Sequence, residues 1–212
     1  MNHDTERLTR ALFDEPSDTG VDPFALFEEW LALARTSEVN DPTAMALATV
    51  DADGMPDLRM VLLNARDERG FVFFTNLDSA KASQLRAAPR AALLFHWKSL
   101  RRQVRIRGSV EPVSAAEADA YFATRPLQSR LGAHASQQSQ PLQSRGVLEA
   151  RVEELRAQYG DSEVPRPENW SGFRIRPSAY EFWKDGAFRL HDRFRYSRDG
   201  EAAAWSCARL YP

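Results

Sequence analysis

The segment from Arg101 to Val110 constrains the fold most, because its residues alternate strictly. Arg102, Val104 and Ile106 fall on one side and Arg101, Gln103, Arg105 and Arg107 on the other, a period of two that belongs to a strand. One face is core-like; the other is cationic.

The neighbouring segments read as further strands in hairpin succession. Thr43 to Val50 is extended and apolar, Asp51-Ala52-Asp53-Gly54 is a turn, and Leu58 to Leu63 returns as a second strand. Arg66 to Gly70 turns into Phe71 to Thr75, and Ala91 to Trp97 precedes the alternating strand. The tail predicts strands at Gly172 to Ile175, Ala179 to Trp183, Phe188 to Tyr196 and Ala204 to Leu210, separated by turns at Asp185-Gly186 and Asp199-Gly200.

Helices interrupt this pattern. Asp22 caps a helix with Pro23 in its first turn and Phe24, Phe27, Leu31 and Ala34 on one stripe. Ser79 caps a short helix to about Ala87, Ser114-Ala115-Ala116-Glu117 has the form of a capping box, and a third long helix runs from about Ser144 to Tyr159. Residues 127 to 146 are polar and Ser/Gln-rich, and residues 1 to 20 lack usable periodicity, which predicts a mobile arm ahead of a single domain over 21 to 212. Seven or eight strands with three helices between them predict a mainly β, α+β protein: an antiparallel, Greek-key-like barrel decorated by helices.

Charge narrows the partners. The net charge of −2 divides into 3 basic and 13 acidic residues over 1–57, 15 and 7 over 58–151, and 10 and 10 over 152–212. A basic middle in a near-neutral chain suggests local anion binding and argues against nucleic acid. Cations are mostly Arg, with Lys only at positions 81, 98 and 184, a bias that suits small phosphorylated ligands and that genomic base composition would also produce. A single Cys207 forbids an internal disulfide, no apolar run is long enough for a membrane span, and the N-terminal residues do not have signal-peptide order, so a cytoplasmic location is expected.

Common catalytic motifs are missing: there is no Gly-x-Ser-x-Gly, His-Glu-x-x-His, phosphate-cradling Gly-rich loop or dinucleotide fingerprint. The four His lack ligand spacing, so no metal is expected, and His96 reads as a core or interface residue. Arg189, His191 and Arg193 occupy alternate positions of an expected strand, where they form either an anion clamp or a salt-bridged solvent face. Arg59 at the start of an apolar strand and Lys81 in a first helical turn are weaker anion signals.

A series of motifs resembles one family. Arg59-Met60-Val61-Leu62-Leu63, Phe74-Thr75-Asn76, Ser79-Ala80-Lys81, Leu94-Phe95-His96-Trp97, Arg102-Gln103-Val104, Tyr121 to Pro126, Gln138-Ser139, and Glu181-Phe182-Trp183 through Arg189 to Arg193 occur in the order seen in pyridoxamine 5'-phosphate oxidases, and Arg209 to Pro212 resembles that family's ending. The resemblance covers about residues 22 to 212. It implies an FMN-binding split barrel acting as a homodimer, with FMN at the subunit interface, which oxidises a phosphorylated B6 vitamer with O2. It further implies FMN contacts from Arg59, Met60, Val61, Leu62, Leu63, Phe74, Thr75, Lys81, Gln103, Gln138, Ser139, Trp183 and Arg193. Tyr121, Arg125 and Ser129 resemble the substrate-phosphate pocket, with Asn64 beside them, and Arg189 and His191 resemble the catalytic pair over the pyridine ring.

The chain departs from that pattern at several positions. Asn64 stands where the family usually has a Lys on the substrate phosphate, Ala80 where an Arg is frequent, and His134 where Trp is common. These departures leave two other readings open: an FMN oxidase of the same fold with a phenazine-type substrate, and a non-catalytic flavin- or pyridoxal-phosphate-binding protein.

Overall fold

The computed structural model describes residues 6–14, 20–160 and 162–212. Nine strands form one antiparallel sheet: β1 Ala44–Val50, β2 Pro56–Leu62, β3 Ala65–Asp67, β4 Gly70–Asn76, β5 Arg90–Trp97, β6 Arg102–Pro112, β7 Trp170–Lys184, β8 Asp192–Ser197 and β9 Ser206–Leu210. Their order is β2-β1-β5-β6-β7-β4-β3, with β8 joining β7 and β9 joining β8. The sheet curls into the half-open barrel expected of a split-barrel fold.

Strand β7 holds the sheet together, pairing with β6 along its length, with β4 through its first half and with β8 through its second. Two strands had been expected in its place. The register shifts between Arg107 and Gly108, opposite Pro177, and the chain passes this bulge without leaving the sheet. Gly108 is required there, since an added Cβ would lie 1.9 Å from the Arg176 carbonyl oxygen.

Among the described residues six α-helices accompany the sheet: α1 Arg7–Phe13, α2 Pro23–Ser37, α3 Ala80–Ala87, α4 Ala115–Ala123, α5 Leu127–Ala135 and α6 Arg145–Tyr159. Helix α2 fills the barrel. Its Leu26, Phe27, Trp30 and Leu31 are fully buried, with Phe27 edge-on to Phe71 at 4.8 Å and to Phe95 at 5.0 Å, and Trp30 edge-on to Phe182 at 5.2 Å. The Asp22 cap accepts from the Ala25 amide at 2.8 Å, and the Ser114 capping box forms as its spacing predicts.

Two helices lie where none was expected. Within the segment read as an arm, α1 docks on α2, where Glu29 accepts from the amides of Leu8 and Thr9, and Thr9 Oγ1 accepts from Trp30 Nε1 at 2.8 Å. Its Leu12 and Phe13 join the core; residues 1–5 and 15–19 of the same expectation lie outside the described residues. Helix α5 has one fully buried apolar residue, Leu131, packed with Leu155 and Val164, so its polar sequence shows almost no stripe. No described helix is long and apolar enough to cross a membrane.

Candidate functional site

A cleft of about 1010 Å3 opens between β2, the end of β4, the start of α3 and the α4–α5 segment. Of the residues assigned by resemblance, Arg59, Met60, Val61, Leu62, Asn64, Phe74, Thr75, Lys81, Tyr121, Arg125, Ser129, Gln138 and Ser139 line it. Leu63 does not, being buried in the core behind the strand.

One group of cations is built on β2 and α3. Arg59 donates to Thr49 Oγ1 at 2.5 Å and to Gln84 Oε1 at 3.0 Å, and pairs with Asp57. A hydrogen bond from Gln84 and the Arg59 charge hold the Asp57 carboxyl below its usual range. Lys81 is 8% exposed and donates to Gln138 Oε1 at 2.9 Å and to the hydroxyls of Thr75 and Ser79 at 3.2 Å. Burial and the neighbouring Arg59 push its pKa down. Among the described residues Lys81 has no carboxylate within ion-pair distance.

The cap of α3 corrects one expectation. Ser79 occupies the cap position, but its hydroxyl donates to the Asn76 carbonyl oxygen at 2.8 Å, and Ser139 accepts from the Ala80 amide at 3.2 Å instead. Ser139 reaches that place with φ +75°, a left-handed backbone that a local sequence pattern does not reveal.

A second group is built around three stacked rings. Tyr121 lies parallel to Phe74 at 4.2 Å and Trp170 parallel to it at 5.2 Å, and those two rings stand 6.3 Å from each other. Gly172 makes this possible, because a Cβ there would sit 2.7 Å from the Phe74 ring. Arg125, just beyond α4, lies 4.7 Å over Trp170 and 5.5 Å from Phe122, and its Nη1 is buried without a hydrogen-bond partner. Desolvation lowers its pKa. An orphaned guanidinium nitrogen lining a cleft is costly unless an anion meets it.

Trp170 went unnoticed in the sequence because it lies between a Pro-containing linker and the expected strand. Gln84 was also missed; only its spacing within α3, one turn after Lys81, points to the same neighbourhood.

The remaining assigned residues come together elsewhere. Gln103 pairs across the sheet with Trp183, and Trp183 with Arg193, so the three stand side by side on its outer face, in line with His96 on β5. The His191 ring is 4.7 Å from Trp183. Arg193 donates to Glu181, which also pairs with Arg105. The expected alternation of Arg189, His191 and Arg193 on one strand is not found: β8 begins at Asp192, and Ala187–Arg189 form a 3-10 turn with φ +57° at Phe188 and +63° at Arg189. The Gly186 amide donates to His191 Nδ1 at 3.2 Å, so the reverse turn at Asp185-Gly186 continues further than its sequence suggests. None of Gln103, Trp183, Arg189, His191 or Arg193 lines the cleft of its own chain. Among the described residues no cluster suited to a metal ion occurs, and His96 is exposed rather than buried in a core.

A curled antiparallel sheet with a cation-lined cleft places the chain in the split-barrel class. PhzG from Burkholderia lata 383, crystallised with tetrahydrophenazine-1-carboxylic acid, has a similar structure, with a TM-score of 0.85 and 34% identity over 94% of this chain and 95% of that one. A pyridoxamine 5'-phosphate oxidase-related, FMN-binding protein of Nostoc punctiforme shares the fold, with a TM-score of 0.72 and 20% identity over 90% of this chain and 98% of that one. Residues 34–159 match the model of the pyridoxamine 5'-phosphate oxidase family, and residues 170–212 match that of the pyridoxine 5'-phosphate oxidase C-terminal dimerisation region. The pyridoxine/pyridoxamine 5'-phosphate oxidase of Rhodopseudomonas palustris strain HaA2 is 62% identical over 190 residues, 90% of each chain. That of Nitrobacter winogradskyi is 58% identical over 208 residues, 98% of this chain and 96% of its own. The chain belongs to the pyridoxamine 5'-phosphate oxidase family.

Proposed function

We propose that the chain is an FMN-dependent oxidase that converts pyridoxine 5'-phosphate or pyridoxamine 5'-phosphate to pyridoxal 5'-phosphate. The alcohol and O2 give the aldehyde and H2O2; the amine, O2 and water give the aldehyde, ammonia and H2O2. One observation carries this reading: the cleft gathers two cationic groups on different elements, Arg59 with Lys81 and Arg125 with Tyr121 and Ser129, as two phosphorylated ligands require.

The residues fit FMN. A buried Lys81 held by hydroxyls and an amide, with no carboxylate, suits a phosphate, and Arg59 stands in the same cleft. Arg59 and Lys81 would hold the phosphate, while the backbone of Met60 to Leu63 with Phe74, Thr75, Gln138 and Ser139 would border the ring. FMN, when bound, supplies the hydride-accepting ring. The protein binds and orients: Arg125, Tyr121 and Ser129 anchor the substrate phosphate, and the stacked wall of Tyr121, Phe74 and Trp170 excludes water beside it.

Gln103, Trp183, Arg189, His191 and Arg193 complete the site from a second copy of the chain. Supporting this, the outer sheet face joining them to the cleft rim is apolar and open, with Ala46 paired between Met60 and Leu94, and Leu58 and Met60 exposed. The matched dimerisation region points to a homodimer. Arg189 and His191 then cover the substrate ring.

The test is anaerobic mixing of the purified yellow protein with pyridoxine 5'-phosphate, which should bleach the flavin absorbance. A protein that takes up no FMN, or a flavoprotein that stays yellow at millimolar substrate, would refute the reading. The second outcome would favour a phenazine-type substrate, a reading supported by the likeness to PhzG.

A further inference from the structure

Asn64 sits where the chain passes from one ladder to another. The Leu63 amide donates to Thr43 just ahead of β1, and the Asn64 amide donates to Val72 of β4, both at 2.9 Å. Its side chain then extends the second ladder by one rung, with Oδ1 accepting from the Phe74 amide at 3.1 Å. A backbone N–H only donates, so this bond fixes which end of the Asn64 amide faces which way. The NH2 group must face Tyr121, and it donates to Tyr121 Oη at 2.7 Å. Tyr121 is thereby an acceptor from Asn64, and its own hydroxyl proton is left for another partner. The ring is clamped parallel to Phe74, so the hydroxyl stays at the cleft wall near Arg125, one turn further along the chain.

We propose that Asn64 is a positioning residue for substrate choice: it commits Tyr121 to donate into the cleft, and so favours a phosphate dianion at Arg125 without touching that phosphate. The proposal builds on the oxidase reading and gives a role to Asn64, which stands where the family usually has a Lys on the phosphate. The orphaned Nη1 of Arg125 and the free proton of Tyr121 are both donors, and an oxyanion satisfies both. A neutral hydroxymethyl group in the same place leaves one of them without an acceptor of comparable strength.

The experiment is equilibrium binding of pyridoxal 5'-phosphate and of pyridoxal to the FMN-loaded protein, followed by fluorescence quenching. It compares Asn64→Asp and Asn64→Ala in the wild-type and Tyr121→Phe backgrounds. Asn64→Asp keeps an acceptor for the Phe74 amide but presents an oxygen to Tyr121, which then donates its proton to that carboxylate. The expected result is a loss of about ten-fold or more in affinity for the phosphorylated aldehyde with Tyr121 present, and under about two-fold for pyridoxal. The loss should shrink several-fold in the Tyr121→Phe background, because charge repulsion from Asp is common to both backgrounds and only the hydroxyl differs. Asn64→Ala should cost little once Tyr121 is Phe. Equal losses in both backgrounds, for either variant, would overturn the proposal, as would equal losses for the two aldehydes. A wild-type protein with no preference for the phosphorylated aldehyde would instead overturn the functional reading beneath it.

Discussion

The cleft and the β7–β8 turn carry residues that the family resemblance assigns to one binding site, yet their physical states are opposite. In the cleft, Lys81, Arg59 and Asn64 are each held by several partners, and Phe74 is stacked against two rings. In the turn, Phe188 is 95% exposed and Leu190 69%, and two successive residues hold left-handed backbones that cost of the order of 1 to 3 kcal/mol each. A surface turn with nothing to bind has no reason to keep that strain and that apolar exposure. In the proposed function, that contrast corresponds to an enclosed half that one chain preorganises and a projecting half that would find its complement on another chain.

The most severe way to break this division is to separate the chains. Ala46 lies on the outer face, directly paired with Met60 on one side and Leu94 on the other. Ala46→Glu puts a carboxylate into the apolar face without altering the core beneath it, and should give a monomer in sedimentation that loses its flavin absorbance on gel filtration. A monomer that stays yellow and turns over would show that the cleft suffices alone.

Single cations sharpen the comparison next. Arg125→Ala removes a charge from the enclosed half, and with charged hydrogen bonds worth about 1.5 to 3 kcal/mol it should raise KM for pyridoxine 5'-phosphate about 100-fold while moving kcat far less. Arg189→Ala acts on the projecting half, where the proposed function has Arg189 cover the ring without contacting the phosphate. It should lower kcat/KM by about ten-fold, with a larger share in kcat than Arg125→Ala shows. Steady-state kinetics of both variants would refute the division if the two profiles coincided.

How much of this was legible in the sequence differs between the halves for a physical reason. Strands with a clean period, such as β6 with Val104 and Ile106 buried and Arg105 and Arg107 exposed, announce both their class and their faces. Asp22 and Ser114 announce their helices because capping is local. Helix α5 hid because Leu131 alone pays into the core, and the Arg189 turn hid because left-handed residues that are not glycine carry no compositional mark. Family resemblance picked out most of the residues that line the cleft, but not the bonds that hold them. Nothing near position 64 in the chain says that its amide will be oriented by Phe74 and aimed at Tyr121, a contact spanning 57 residues.

The finest distinction concerns Lys81, whose burial and Arg59 neighbour depress its pKa below the ordinary 10.5 while the Asp57 charge pulls less strongly the other way. Without cofactor, a lysine whose folded pKa lies below its unfolded value destabilises the fold while charged, a penalty present below the folded pKa and fading as pH climbs toward 10.5. A bound phosphate favours the ammonium, so FMN affinity should be full below the depressed pKa and fall as pH rises through it, earlier than for an ordinary lysine. Lys81→Met should weaken FMN at neutral pH by about ten-fold and flatten that alkaline decline, both read from flavin fluorescence across a pH series. It should also leave the cofactor-free protein at least as heat-stable as the wild type, because it removes a desolvated charge. A Lys81→Met variant that is weaker in FMN binding yet keeps the same alkaline decline would place the titrating group elsewhere and return Lys81 to a packing role beside Gln138.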